Sequence, residues 1–189
     1  ITGQDNDVLR GIENISATVG NDVLRGDTGQ NTLQGNAGDD VISGGSGADQ
    51  LDGGAGFDQL RFDDLSGFGV VLDLANRTAL FRGDSSIDSF NNFEIYLGST
   101  QGDEILSSSI ADTVDGNSGN DTFFGGAGGD EFDGNTGSDT IDYSLYAGIN
   151  FITVTLHDTN AVIVDVDGGD DAQIIRIENV VGSAGDDVI

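Results

Sequence analysis

The segment GGSGADQLDGGAGFDQL (residues 44–60) contains one nine-residue pattern twice. Each copy begins with glycine, has an aspartate at its sixth position (Asp49, Asp58) and an apolar residue at its eighth (Leu51, Leu60). Six residues rich in Gly and Asp are typical of a turn, and the next three, with one apolar side chain, are typical of a short strand. Two units therefore predict a coil of about 18 residues, and coils stacked about one strand spacing apart place units n and n+2 directly above one another.

The pattern recurs in two blocks of five units, 17–61 and 98–142. The eighth position is apolar in all ten units, and the sixth is Asp in all but one, where Asn31 replaces it. A degenerate copy covers 2–10 and another unit begins at 182. Self-similarity at a fixed short period indicates a repeat architecture.

The composition points to cations as partners. The chain has 34 acidic residues against six arginines and no lysine, for a formal charge of −28, and only 36% of it is hydrophobic. Such a chain repels itself when compact, and its sign excludes nucleic acid and anionic membranes as natural partners. It lacks cysteine, so disulfides cannot stabilise it, and no apolar run is long enough to predict membrane insertion.

The stacked aspartates predict a metal site. Like charges one strand spacing apart need screening, and a hard divalent cation can take carboxylate and turn-carbonyl oxygens as six to eight ligands. The absence of sulfur ligands and the single histidine argue against zinc or copper, and the flexible turns favour calcium over magnesium. Glycine would let carbonyls approach the ion, and aspartate would supply the charge.

Two strand-like segments separate the blocks. In 69–81 and 150–166 apolar residues alternate with period two, as in strands, whereas no stretch predicts a three-turn amphipathic helix. A longer repeat encloses both blocks, because Glu13, Glu94 and Glu178 begin similar sequences. We therefore predict six parts: 1–16, the end of a preceding repeat; 17–61, the first block; 62–97, a strand-rich segment; 98–142, the second block; 143–181, a second strand-rich segment; and 182–189, the start of a third block. We expect the chain to be a fragment of a longer protein.

The nine-residue units resemble the repeats-in-toxin (RTX) nonapeptide, G-G-x-G-x-D-x-U-x, a calcium-binding β-helix repeat. Units 44–52, 53–61 and 125–133 match every defined position. The resemblance implies an all-β fold, a calcium-bound parallel β-roll with interspersed strand pairs. It also implies export through the type I secretion machinery of a Gram-negative bacterium, and folding outside the cell where calcium is abundant.

Carried over unit by unit, the resemblance assigns the sixth positions as metal ligands: Asp22, Asn31, Asp40, Asp49, Asp58, Asp103, Asp112, Asp121, Asp130, Asp139 and, if a further turn follows, Asp187. Pairing n with n+2 predicts six interior Ca²⁺ sites, and the ends could add more. Several units depart from the pattern: Asn31 removes a charge, 107–115 lacks the expected glycines, and Gln101 and Asp5 replace the third glycine. These departures predict weaker sites. The acidic stretch 165–171, with Asp165, Asp167 and Asp170, is equally consistent with a metal loop and a hairpin turn.

No catalytic site is predicted. The only histidine, His157, has no plausible serine nucleophile, and 83–86 resembles the start of a GDSL hydrolase block whose remainder is missing. We predict a non-catalytic calcium-binding module of a large secreted or cell-surface protein of adhesin or S-layer type. The alternative is the C-terminal secretion and folding module of a type I-secreted protease, lipase or epimerase. A polysaccharide or cell-surface partner stays open, through Tyr96, Tyr143 and Tyr146 if they are exposed.

Overall fold

The computed structural model describes residues 12–65, 67–83, 85–145, 151–156, 161–166 and 170–189. The degenerate copy at 2–10 with Asp5, and likewise Tyr146, His157 and Asp167, lie outside these residues. The described part contains strands and turns but no α-helix. No helix in it is therefore long and apolar enough to cross a membrane.

The described strands form two sheets. The ten-stranded sheet contains, in spatial order, β1 (Asn14–Ser16), β3 (Thr32–Ala37), β5 (Gln50–Ala55), β9 (Ile87–Asn91), β8 (Thr78–Phe81), β7 (Val70–Asp73), β11 (Glu104–Leu106), β13 (Thr122–Phe124), β15 (Thr140–Asp142) and β19 (Asn179–Val181). The nine-stranded sheet contains β16 (Ile152–Leu156), β17 (Ala161–Val166), β18 (Asp170–Ile175), β14 (Glu131–Asp133), β12 (Thr113–Asp115), β10 (Ile95–Leu97), β6 (Gln59–Arg61), β4 (Val41–Ser43) and β2 (Val23–Arg25).

Successive nonapeptides alternate between the two sheets. Within a block, each strand pairs in parallel with the strand 18 residues later, as Thr32 does with Gln50 and Val41 with Gln59. This register is the one predicted from the nine-residue period, because two units complete one coil. The all-β parallel roll is confirmed.

The core lies between the sheets and is built from the eighth positions. All ten of these residues are buried: Leu24, Leu33, Ile42, Leu51, Leu60, Ile105, Val114, Phe123, Phe132 and Ile141. Alternation along each three-residue strand leaves its outer residues more exposed, as in β2 and β12. Phe123 and Phe132, from opposite sheets, are in contact with ring centroids 5.2 Å apart. The core is one apolar residue per unit, stacked along the roll.

Each strand-rich segment inserts a three-stranded antiparallel meander into one sheet. The first insert, β7–β9, enters the ten-stranded sheet: β9 pairs in parallel with β5, and β7 pairs in parallel with β11. The second insert, β16–β18, enters the nine-stranded sheet beside β14. Six single strands, β10 to β15, separate the inserts, and this even number sends the second insert to the opposite sheet.

The inserts do not interrupt the roll. In the nine-stranded sheet, β6 of the first block pairs through β10 with β12 of the second. At the acidic stretch 165–171, β17 and β18 pair in antiparallel, with Val166 opposite Asp170, whereas residues 167–169 with Asp167 lie outside the described residues. The predicted strand pairs at 69–81 and 150–166 are found, and each gains a third strand that the sequence reading did not predict, β9 or β18.

Candidate metal centre

Stacked sixth-position residues are joined by a repeated hydrogen bond. The backbone N–H of the sixth residue in one unit donates to Oδ1 of the sixth residue two units later. All six predicted pairs show this contact: Asp22 to Asp40 (2.7 Å), Asn31 to Asp49 (2.8 Å), Asp40 to Asp58 (2.7 Å), Asp103 to Asp121 (2.9 Å), Asp112 to Asp130 (3.0 Å) and Asp121 to Asp139 (2.8 Å). The structure thus brings together each pair of side chains that the nine-residue period predicted.

The second oxygen of several of these carboxylates has no protein partner. Oδ2 of Asp40, Asp58, Asp121 and Asp139 is buried and accepts no hydrogen bond. These four residues are at most 1% exposed. Burying a charged oxygen without compensation is costly, and buried charges are normally paired or bound to metals. These oxygens therefore indicate a ligand that the chain itself does not supply.

The first glycine of a unit lies against this oxygen. A Cβ added at Gly35 would be 2.2 Å from Oδ2 of Asp40 and 2.4 Å from the carbonyl oxygen of Gly53, in the unit stacked above. At Gly116 the distance to Oδ2 of Asp121 would be 2.4 Å. Only glycine allows the carboxylate and the carbonyl to approach the same place.

This donor set fits calcium. No three acidic or histidine side chains converge in the described residues, so carboxylates alone do not form a cage. Two carboxylates per pair and the carbonyls of glycine-rich turns are the oxygen ligands that Ca²⁺ takes in flexible geometry. When bound, the ion would neutralise the buried carboxylates, while the chain's own residues set their spacing.

The second position distinguishes two kinds of turn in most units, Asp27 and Gly126 belonging to neither. In the open turns, this residue is Asn or Gly with positive φ, as at Asn36 (76°), Gly45 (84°), Gly54 (105°), Asn117 (71°) and Asn135 (63°). In the closed turns it is Ser or Thr, and its hydroxyl donates to the unit's own carboxylate: Thr18 to Asp22 (2.8 Å), Ser99 to Asp103 (2.7 Å), Ser108 to Asp112 (2.9 Å) and Ser183 to Asp187 (2.8 Å).

The closed turns satisfy part of their carboxylate without a metal. Asp22 and Asp112 each accept, on the same oxygen, both the hydroxyl and the backbone N–H of the second residue. Their demand for a cation is accordingly lower than that of Asp40 or Asp121. This distinction was not predicted, although Ser or Thr at the second position is its signal in the sequence.

One predicted site lacks a charge, as expected. Asn31 is buried, its Oδ1 accepts the backbone N–H of Asp27 (2.9 Å), and its own N–H donates to Asp49. Asn31 therefore has the geometry of a sixth-position residue with a neutral amide. Its weaker affinity for calcium stays a prediction.

A further sixth-position carboxylate lies in the first insert. Asp88 is fully buried, and its Oδ1 accepts the backbone N–H of Asp49 (2.7 Å), the place that the next unit's aspartate takes elsewhere. The segment 83–91, GDSSIDSFN, has glycine first, aspartate sixth and phenylalanine eighth. It is a degenerate nonapeptide, and this spacing could have revealed it. The GDSS at its start is the segment that resembles an incomplete hydrolase block.

The suggested sugar-stacking role of two tyrosines is wrong. Tyr96 and Tyr143 are buried, so neither ring can stack on a carbohydrate. The hydroxyl of Tyr96 donates to the carbonyl of Phe93 (2.9 Å), and the Tyr143 ring fills the space beside Gly125. Burial raises the pKa of both hydroxyls, with the charge of Asp112 adding at Tyr96 and that of Asp130 at Tyr143. Both tyrosine rings therefore fill space in the core.

Burial also raises the pKa of several of the stacked sixth-position carboxylates. For Asp121 the pKa reaches about 7, because burial outweighs the hydrogen bond from the Asp103 backbone, and Asp103 and Asp139 add repulsion. Burial likewise raises the pKa of Asp40, Asp103 and Asp139. Without metal, the folded chain therefore holds protons more tightly than the unfolded chain.

These shifts predict opposite pH dependences with and without calcium. A raised folded pKa contributes stability that is complete below the unfolded pKa near 3.8 and lost as pH rises through the folded value near 7. In calcium-free buffer the free energy of unfolding should fall between pH 5 and 8, whereas in millimolar calcium it should rise, because the ion displaces those protons. In calcium, urea unfolding at fixed pH steps measures the slope. Without calcium, the β circular dichroism that the chain retains at each pH between 5 and 8 measures it, and Asp121→Asn should flatten this calcium-free slope near pH 7. Parallel slopes in both buffers would contradict the prediction.

Comparison with known proteins agrees with this geometry. Four copies of the RTX calcium-binding nonapeptide repeat match, at residues 10–33, 25–60 and 107–141. The chain carries RTX repeats. The matched ranges contain the open turns of Asp40, Asp58 and Asp121 and extend to Ile141, so the buried unpartnered carboxylates lie inside the recognised repeats. As RTX repeats bind Ca²⁺, calcium is a partner of this chain.

The solved structures that are similar to this chain include one of low sequence identity. The extracellular lipase LipA from Serratia marcescens is 15% identical, with a TM-score of 0.38, and the match covers 91% of this chain and 39% of the lipase chain. The chain thus spans well under half the length of that protein. No curated protein sequence matches.

Proposed function

We propose that this RTX chain is a non-catalytic structural module of a large secreted or cell-surface bacterial protein of adhesin or S-layer type. In this proposal the module crosses the cytoplasm unfolded, leaves through type I secretion and folds outside the cell on calcium. The observation that carries this proposal is the stack of buried sixth-position carboxylates, because the unpartnered oxygens of Asp40, Asp58, Asp121 and Asp139 need cations.

The recurrence of insert and block supports a spacer role. The first insert returns to the roll at Glu94 and the second at Glu178, and each return is followed by a closed turn, at Ser99 and Ser183. Because each insert is followed directly by the first turn of another block, the combination of block and insert can be repeated along a longer chain. Stability then adds up from each repeat and its neighbours, as in other solenoids. This favours a repetitive surface protein over a single terminal block on an enzyme.

The calcium range of folding tests this proposal. Extracellular calcium modules bind in the range of roughly 10⁻⁴–10⁻³ M, whereas cytosolic sensors respond at roughly 10⁻⁷–10⁻⁵ M. Limited proteolysis with a non-specific protease, over a series of buffered calcium concentrations, should show half-protection within the extracellular range. Protection already complete below 10⁻⁶ M on the same scale would contradict folding outside the cell. Magnesium at equal ionic strength is the control and should not protect.

A further inference from the structure

After the third strand of each insert, the chain returns to the roll through a three-residue junction. After β9 the junction is Asn92, Phe93 and Glu94; after β18 it is Arg176, Ile177 and Glu178. Neither junction matches the nonapeptide pattern, and neither lies within the matched repeat ranges. The two junctions nevertheless have the same structure.

Each junction glutamate takes the place of a sixth-position aspartate. The backbone N–H of Asp58 donates to Oε2 of Glu94 (2.8 Å), and that of Asp139 donates to Oε2 of Glu178 (2.8 Å). The next residues are in register with strand positions of the repeats, since Ile95 pairs with Gln59 and Asn179 pairs with Thr140. Glu94 therefore follows Asp58, and Glu178 follows Asp139, as the next aspartate follows within a block.

The first residue of each junction supplies the carbonyl that a first glycine supplies elsewhere. A Cβ at Gly53 would lie 2.1 Å from the carbonyl oxygen of Asn92, and one at Gly134 would lie 2.3 Å from that of Arg176. Both residues have positive φ, 57° at Asn92 and 49° at Arg176, which directs the carbonyl towards the roll.

The side chains of these same two residues are anchored to the unit below. The amide of Asn92 donates to Asp52 (2.7 Å), and the guanidinium of Arg176 forms an ion pair with Asp133. Asp52 and Asp133 both occupy the ninth position of their units. Two different residues thus hold the same left-handed conformation by the same contact, which supports a common role for the two junctions.

An unpartnered buried oxygen faces each junction. Asp58 and Asp139 are fully buried, and Oδ2 of each has no hydrogen-bond partner. A Cβ at Gly53 or Gly134 would approach that Oδ2 to 2.8 or 2.6 Å, so the oxygen, the glycine and the junction carbonyl border one gap. This is the arrangement seen between Asp40 and Gly53 inside the repeats.

We propose that Glu94 and Glu178 are calcium ligands that complete two further sites, one with Asp58 and the other with Asp139. The proposal rests on the calcium binding of the repeats and adds two sites that lie outside the nonapeptide pattern. Glutamate suits this position, because only one residue separates it from the carbonyl-bearing residue, whereas four residues separate Gly53 from Asp58 in a nonapeptide. The longer side chain spans what the shorter turn does not. The shorter turn also offers fewer carbonyls, so these ions should be the most weakly held.

Counting bound calcium in single variants tests the proposal. Glu94→Gln and Glu178→Gln keep an oxygen that can accept the N–H of Asp58 or Asp139, so the fold should be retained in saturating calcium. Glu131→Gln is the matched control, since Glu131 is exposed, lies at the seventh position of its unit and undergoes the same change. Native mass spectrometry and equilibrium dialysis against calcium alone would give the number of ions and their affinities.

Each junction variant should bind one ion fewer than Glu131→Gln, or bind its weakest ion at least tenfold less tightly. Equal numbers and affinities in all three variants would overturn the proposal. Asp40→Asn, which alters a site within the repeats, should lose binding in either case. Loss in Asp40→Asn with no change in the junction variants would refute these two sites alone, whereas no binding by the unaltered chain would refute calcium binding itself.

Discussion

In excess chelator at pH 7.5, the chain should lose most of its β structure and give the far-ultraviolet circular dichroism of a disordered chain. Adding calcium to 5 mM should restore the β spectrum in one cooperative transition, and magnesium should not. The reason is the charge placed inside the roll. Asp40, Asp58, Asp121 and Asp139 stack as buried carboxylates with unpartnered oxygens, in a chain of formal charge −28.

The magnitude of calcium linkage supports this expectation. A ligand that binds only the folded state stabilises it by about 2.7 kcal/mol per site at a hundredfold excess over Kd. A few such sites equal the whole stability of a typical domain, about 5–15 kcal/mol. Six Ca²⁺ ions would also bring the formal charge from −28 to about −16. The metal-free chain has a core of one apolar residue per unit with which to offset this repulsion.

The test is a calcium titration followed at 218 nm, with magnesium and with sodium of equal ionic strength as controls. Sodium separates general screening from specific binding. A β spectrum that persists in chelator at pH 7.5 would show that the turns and the apolar stack are sufficient without the ion. A transition produced equally by magnesium would contradict the assignment of calcium.

Gly35→Ala should strongly impair calcium-dependent folding, although the substitution adds a single methyl group. The new Cβ would lie 2.2 Å from Oδ2 of Asp40 and 2.4 Å from the carbonyl oxygen of Gly53. Gly35 does not have a left-handed backbone, so alanine fits its φ and the effect comes from filling the gap between these two oxygens. Overpacking of this kind costs about 1–3 kcal/mol, and the calcium midpoint should rise as well.

Gly29→Ala is the matched control. Gly29 lies in the neighbouring turn at an exposed position, and its added Cβ would meet nothing nearer than Oδ1 of Asp27 at 3.4 Å. Replacing glycine at a compatible position stabilises by about 0.4–1 kcal/mol through the unfolded chain, so this variant should fold as well as the parent or slightly better. Urea unfolding in saturating calcium, with the calcium midpoint of each variant, would compare them. Equal behaviour of the two variants would mean that the gap at Gly35 holds no ion.

Much of the roll was predictable because its causes are local and repeated. The spacing of nine determines that units n and n+2 stack, and the structure shows this register at 18 residues for Thr32 and Gln50. The apolar eighth residue predicts the core because alternation within a three-residue strand allows only one side chain inward. The pairs of sixth-position aspartates follow from the same period.

The glutamate junctions and the buried Asp88 were not assigned from the sequence. Glu94 and Glu178 were recognised only as markers of the long repeat, because their role depends on a short turn after a strand that leaves the roll. Asp88 belongs to a unit with two of its usual glycines missing, and its partner Asp49 lies 39 residues before it. Nothing local indicates that the intervening strands fold out as a meander and bring these two residues together.

The nine-residue period was sufficient to predict the alternation of turn and strand, the inward residue of each unit and the stack to which each carboxylate belongs. Those properties depend on residues at most 18 apart, and repetition makes the same choice many times. Only tertiary packing determined which carbonyl lies beside a buried carboxylate oxygen, that Tyr96 and Tyr143 are buried, and which sheet receives each insert. These properties depend on what packs above and below a given turn, such as the carbonyl of Gly53 beside Gly35 or the ring of Tyr143 beside Gly125, and that packing exists only once separate coils are stacked.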